Sequence, residues 1–303
     1  MIGVKRLAVL LLPPLVTDLV RSMRGRRSPG LAAPATSAMA ELRNVVRPPP
    51  PEWEAVSQAD WTEGWMHPSI VDTQVAKWQG FADSIAPPKP LGMAHEALPG
   101  APVNVSSHNI MMTFGYVLGR AIATTSGRPL QVLDWGGGIG HYALLSRQLF
   151  PEVAIDYTVS ELPTLVEAGH RLLPDTAFTA DGVAALEKTY DLIYASSSLQ
   201  YVRDIYGLLA KIAASGSRWI MICRMPFVDR ANDFVVIQRP QRYGYDTEYT
   251  GWFLNRDKFV GFMQQHGYRL DREFLNDERP TVTGAPEQCS YRGFLFQRSP
   301  QPA

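Results

Sequence analysis

Cysteine is nearly absent from this 303-residue chain, which has two: Cys223 inside an apolar run and Cys289 near the end. Two thiols so placed make neither a disulfide framework nor a metal-ligand spacing. That suits a reducing, cytoplasmic setting with no resident metal. Net charge is missing too, with 29 Lys and Arg against 29 Asp and Glu. Without a global basic field, nucleic acid is not expected as a partner. No apolar run is long enough to cross a bilayer. A helix over Leu7–Val20 reaches about 21 Å at ~1.5 Å per residue, against a hydrocarbon core of ~30 Å. No internal repeat is apparent. What the chain does have is 46% hydrophobic residues, enough for a large core in one main domain with appendages.

Four segments are expected. Residues 1–30 are apolar and basic: Leu7–Val20 is preceded by Lys5 and Arg6 and followed by Arg21, Arg24, Arg26 and Arg27. The basic cluster after the run works against translocation, and Pro13-Pro14 breaks a helix near its middle. Two readings stay open: an interfacial anchor on the anionic inner face of a membrane, or a terminal helix packed on the body. Residues 31–51 are a Pro/Ala-rich linker ending in four prolines. Residues 52–125 form a Trp-rich helical cap with Trp53, Trp61, Trp65 and Trp78, whose rings read as packing surfaces ahead of a sugar or lipid platform. Within it, Ser106–Asn109 resembles an N-cap for a helix over Ile110–Thr125. Residues 126–303 carry the ligand-binding domain.

That domain opens on Gln131-Val132-Leu133-Asp134-Trp135, followed by Gly136-Gly137-Gly138-Ile139-Gly140 and a helical pattern over His141–Leu149. Strand, glycine turn and helix in this order let a ligand approach the backbone closely and face the unpaired N–H groups of a helix start. A dinucleotide pyrophosphate usually goes with G-x-G-x-x-G. Here the spacing is G-G-G-x-G, and Asp134 stands directly before the glycines. A carboxylate there repels a pyrophosphate but attracts the ammonium end of S-adenosylmethionine (SAM).

Strand and helix then alternate. Strands are expected at Val153–Val159, Thr176–Thr179, Tyr190–Ala195 and Arg218–Cys223, with helices at Pro163–Leu173, Ala184–Lys188 and Ile205–Ala214. Repeated βα units with short connections imply a mostly parallel sheet covered on both faces. In such sheets the ligand lies beyond the carboxyl ends of the strands. The residues there are Glu161 for the ribose hydroxyls, Asp181 for an adenine amino group, and Ser196 and Ser197 on the cleft floor. The two acids have plainer alternatives: a surface acid capping the next helix at Glu161, and an Asp-Gly turn at Asp181. Beyond Pro226, Asp229–Trp252 reads as a polar, aromatic loop longer than a connection needs. A helix over Arg256–His266, a strand over Tyr268–Phe274, a loop over Asn276–Gln288 and a last strand over Tyr291–Gln297 complete the chain.

Residues 130–223 resemble the core of a class I SAM-dependent methyltransferase. Val132–Gly140 is similar to its first motif, and Val159–Glu167 to the ribose-binding segment of small-molecule O-methyltransferases, with Glu161 for the usual Asp. Asp191–Ala195 with Leu199–Val202 resembles the fourth-strand motif, but Gln200 stands where plant-type O-methyltransferases have a general-base His. Nearly the whole chain is also similar to a bacterial methyltransferase family linked to surface-polysaccharide synthesis. The resemblance implies a Rossmann-like sheet whose last strand runs antiparallel, SAM bound by Asp134, Gly136, Gly137, Gly138, Gly140, Glu161, Asp181, Ser196 and Ser197, and O-methylation of a small-molecule or glycan hydroxyl. With Gln200 unable to take a proton, the expected base is His108, at the start of the helix entering the domain. His141, and Asp246, Glu248 and Tyr249 beside Trp252, are the other candidates. The rival readings are an inactive SAM-binding scaffold at the membrane and an NAD-dependent dehydrogenase.

The anchor reading predicts that full-length protein sediments with anionic liposomes at low salt, each basic residue near the surface contributing ~1 kcal/mol. Deletion of residues 1–28 should abolish sedimentation. Full-length protein left in the supernatant would favour the packed helix.

Overall fold

In the computed structural model, residues 49–93 and 101–300 are described; the apolar, basic segment 1–30, on which the anchor and packed-helix readings fall, and nearly all of the linker lie outside them. Residues 51–303 belong to one compact unit. Its central strand, β2 (Leu130–Trp135), follows β1 (Trp53–Val56) in the chain and is apolar on both faces. Leu130 and Val132 enter one core while Leu133 enters another. The same alternation governs β5 (Leu192–Ser196) and β6 (Trp219–Val228): Tyr194, Met221 and Cys223 point one way, Ile193, Ile220 and Ile222 the other. Side chains of period two can fill two cores only if helices cover both faces.

The first face is covered by α1 (Pro68–Ile85), α2 (Val105–Ile122) and α3 (His141–Leu149), which contribute Trp78, Phe81, Phe114, Leu118 and Leu145. After β3 (Ile155–Ser160) the chain forms α4 (Pro163–Leu172), β4 (Ala177–Thr179) and α5 (Gly182–Leu186). The second face is covered by α6 (Ile205–Ala214) and α7 (Arg256–Gln265) through Leu209, Ile212, Phe259 and Met263. β4, β3, β2, β5 and β6 are parallel neighbours in that order. β10 (Ser290–Arg298) then inserts antiparallel between β6 and β9 (Tyr268–Leu275), as the resemblance implies.

Two sequence expectations need correction. Asp229–Trp252 is not a loop. It ends β6's neighbourhood with β7 (Phe234–Gln238) and the start of β8 (Tyr249–Asn255), paired antiparallel. β7 also pairs with β1, and β8 joins β6 through Phe227–Leu254 and Val228–Asn255. The run Phe234-Val235-Val236-Ile237 is β-prone and largely buried; the polar residues around it obscured the strand. Trp53, expected in a helical cap, therefore opens a strand, its ring 6.0 Å from Phe253. Helix α2 starts at Val105 because Asn104 caps it, Oδ1 accepting from Ser107 N–H at 2.8 Å.

Candidate active site

Register brings the strand ends to one rim. Trp135 pairs with Ser160, Ser160 with Thr179, and Asp134 with Tyr194. Gly136, Glu161, Ala180 and Ser196–Ser198 follow these pairs and line a cavity of about 490 Å³. Gly136, Gly137 and Gly138 form one end of it. A Cβ at Gly137 would lie 2.5 Å from Asp134 Oδ2. Asp134 thus sits beneath the turn, 1% exposed and off the cavity wall where sequence reasoning expects it. Its Oδ2 accepts from Tyr157 O–H at 3.0 Å, and Oδ1 has no hydrogen-bond partner among the described residues. Gly140 is also off the wall: it precedes α3 with φ 97° and lies against Leu173.

Glu161 lines the cavity, and its carboxylate accepts from Leu162 N–H. Ser196 and Ser197 line it as well, with Ser196 Oγ 3.1 Å from Tyr142 Oη. Ser197 and Arg224 hold left-handed backbones, φ 54° and 51°. Such conformations cost of order 1–3 kcal/mol and cluster at functional sites. Gln200 is 2% exposed and donates from Nε2 to Ser197 Oγ at 3.2 Å; it supports the floor without lining it. Asp181 is exposed and caps α5, Oδ1 accepting from Ala184 N–H at 2.9 Å; its neighbours Ala180 and Gly182 line the cavity but Asp181 does not.

His108 lies outside the cavity. It is exposed, and its Nδ1 is 2.7 Å from the Leu91 carbonyl oxygen. Asp246 and Glu248 are exposed too, Glu248 pairing with Arg239 at 3.2 Å. His141 and Tyr249 do reach the wall.

Opposite the glycines the cavity is aromatic. Trp65 stacks on Tyr249 at 4.4 Å, and Tyr201 lies 4.8 Å from Trp65 and donates to Gln238 Oε1 at 3.0 Å. A second chamber of about 760 Å³ shares Trp53, Tyr142, Arg224, Glu278 and Tyr291 with the first, so the two adjoin. Arg224 Nε and Glu278 Oε1, 3.1 Å apart, form an ion pair on the shared wall. Sequence reasoning missed Gln74 on α1, Arg224 and Glu278, all of which line the smaller cavity. Arg224 was findable, since it directly follows the expected fifth strand; Gln74 has no local signal in its helix.

Burial pushes the Asp134 carboxyl up to about 7; the Tyr157 hydrogen bond opposes this and the Glu161 charge adds to it. Burial likewise raises Glu161 to about 7, against the pull of the Leu162 and Gly138 N–H groups. These groups fit SAM. Glu161 can accept from ribose hydroxyls, and the negative charge under the turn suits an ammonium where it would repel a pyrophosphate.

A parallel sheet with one inserted antiparallel strand and a glycine-floored cleft at its strand ends defines a class I methyltransferase fold. The chain belongs to the methyltransferase domain family, whose model matches residues 115–273. It is 32% identical over 82 residues to trans-aconitate 2-methyltransferase of Deinococcus radiodurans, a match covering 27% of this chain and 32% of that protein. The chain thus spans about a third of that relative's length. Among solved structures it is similar to the magnesium protoporphyrin IX methyltransferase of Synechocystis PCC 6803 with bound SAM, at 15% identity and TM-score 0.44 over 66% of this chain and 86% of that one. It is also similar to the Burkholderia thailandensis 1,6-didemethyltoxoflavin-N1-methyltransferase, at 16% identity and TM-score 0.42 over 63% and 78%.

The raised carboxyls set a pH dependence. In the ligand-free fold both favour the proton, so they oppose folding increasingly as pH rises from the ordinary carboxylate range to about 7. A cationic, hydroxyl-donating ligand favours their charged forms and lowers both values. Affinity for S-adenosylhomocysteine (SAH) should therefore rise about tenfold per coupled group between pH 6 and pH 8, with proton release on binding. Calorimetry in buffers of different ionisation enthalpy checks this; affinity flat or falling with pH would contradict it.

Proposed function

We propose that this protein is a SAM-dependent methyltransferase acting on a hydroxyl of a small molecule, with a sugar hydroxyl, free or on a lipid-linked glycan, as the favoured class. The observation that carries this reading is the adjoining pair of cavities: a cleft of about 490 Å³ lined by the glycine turn and aromatic rings shares Trp53, Tyr142, Arg224, Glu278 and Tyr291 with a chamber of about 760 Å³. Ring faces beside tyrosine hydroxyls and an Arg–Glu pair suit a sugar, which presents apolar C–H faces and hydroxyls together. Bound in the cleft, SAM supplies a methyl group already activated by its sulfonium. Positioning is then the protein's main contribution, and effective molarity reaches up to roughly 7–11 kcal/mol in favourable cases. Glu161 holds the ribose, and Trp65, Tyr201 and Tyr249 exclude water from the acceptor side.

The proton acceptor we favour is Glu278, which lines both cavities. Glu278 receives the hydroxyl proton as the oxygen–methyl bond forms and the carbon–sulfur bond breaks, its electron pair remaining on sulfur. Arg224 holds that carboxylate in place. A second reading has a specific observation behind it. Arg224, Arg242 and Arg279 all line the larger chamber, and the Deinococcus relative is named for a small organic acid. A carboxylate-bearing acceptor would use those arginines.

Methyl transfer from labelled SAM to a panel of sugars, glycolipids and small carboxylic acids, read by mass spectrometry, separates these classes. With the accepted substrate, Glu278→Gln should lower turnover at least ~100-fold while SAH affinity stays within a factor of a few. His108→Ala should leave turnover unchanged. The reverse pattern would return the base to His108. Tight SAH binding with no methylated product from any acceptor would favour the inactive scaffold.

A further inference from the structure

One buried polar group in the cleft has no use in the scheme so far. Gln74 lies on α1, in the segment before the methyltransferase match, and is 7% exposed. It lines the 490 Å³ cavity, yet its Oε1 has no hydrogen-bond partner among the described residues. Buried amide oxygens are rarely left without a donor, and an exception calls for a ligand or ordered water. The oxygen faces the glycine turn: a Cβ built on Gly138 would lie 3.0 Å from it.

Helix α1 is fixed over that turn. Trp78 and Phe81 pack 5.3 and 4.9 Å from the His141 ring at the start of α3. On the other side, Thr73 Oγ1 donates to the Gly244 carbonyl at 3.0 Å and Lys77 Nζ to the Tyr243 carbonyl at 2.8 Å. Beneath the same turn, Asp134 Oδ1 is the second buried acceptor without a donor. An acceptor above the turn and a carboxylate below it call for a group that only donates and carries positive charge. An ammonium is such a group; a carboxylate or a phosphate is not.

We infer that Gln74 is a cofactor-positioning residue, its Oε1 accepting a hydrogen bond from the ammonium group of SAM, an assignment that rests on the methyltransferase reading above. The N-terminal segment then does more than cover the sheet. It supplies part of the cofactor site, and selects ligands that keep the amino-acid end.

The test compares binding of SAH with that of 5′-methylthioadenosine, which has the adenosine and sulfur but no amino-acid moiety. Calorimetry should show Gln74→Leu weakening SAH at least tenfold while 5′-methylthioadenosine stays within twofold, which also shows that the variant is folded. Gln74→Glu keeps the acceptor and removes the donor, so SAH should bind it at least as well as wild type. Equal loss of both ligands in Gln74→Leu, no loss of either, or a Gln74→Glu variant as weak as Gln74→Leu would each overturn the assignment. Wild-type protein that binds neither ligand would overturn the SAM reading itself, and the Gln74 assignment with it.

Discussion

At Gly137 the chain crosses so close over Asp134 that a Cβ would sit 2.5 Å from the carboxylate oxygen, and much of the site follows from that crossing. The carboxylate is shut away from water, which raises its proton affinity. Among the described residues it is held by one hydrogen bond, from Tyr157 on the neighbouring strand, so the register of β2 against β3 fixes its position. That register also sets Glu161 at the next strand end. Cofactor geometry and sheet pairing are therefore one constraint: a slip of one residue would send Asp134 and Glu161 to opposite faces.

The acceptor side is built differently. Its walls come from elements far apart in the chain: Trp53 and Trp65 from the N-terminal segment, Tyr249 from β8, Glu278 and Tyr291 from the C-terminal part. The small sheet of β1, β7 and β8 ties these pieces together, and β8 is joined to β6 by parallel pairing. The strained backbone of Arg224 falls within β6, between its pairing with β5 and its pairing with β8. The same strand thus serves the cofactor sheet at its start and the acceptor wall at its end.

This contrast explains what the sequence made legible. Each βα unit carries its own local signal, an apolar run of period two followed by a helical face, so β2 through α6 could be read to within a few residues, and Ile205–Ala214 without change. Glu161 and the serines followed from the rule about strand ends. β7 and β8 could not be read that way. β7 takes one partner edge from β1, nearly two hundred residues earlier, and β8 takes one from β6; pairing at such range leaves no mark in a local window. His108, the expected base, lies off the cavity wall for a related reason. A helix entering the domain can present any face to the cleft, and here Ser107 and Met111 turn inward while His108 meets Leu91 and solvent. Gln74 has the opposite history: nothing in its helix marks it, and only packing aims it at the turn.

The central claim is that the glycine turn over Asp134 holds SAM rather than a dinucleotide, and ligand binding to wild-type protein and to Gly138→Val tests it most directly. Gly138 has φ 58°, and a valine there would strain the backbone and crowd Gln74 across the space assigned to the methionine moiety. Calorimetry on wild type should show SAH binding and no NADH binding, and folded Gly138→Val should lose SAH. Wild-type protein that binds NADH and ignores SAH would contradict the account.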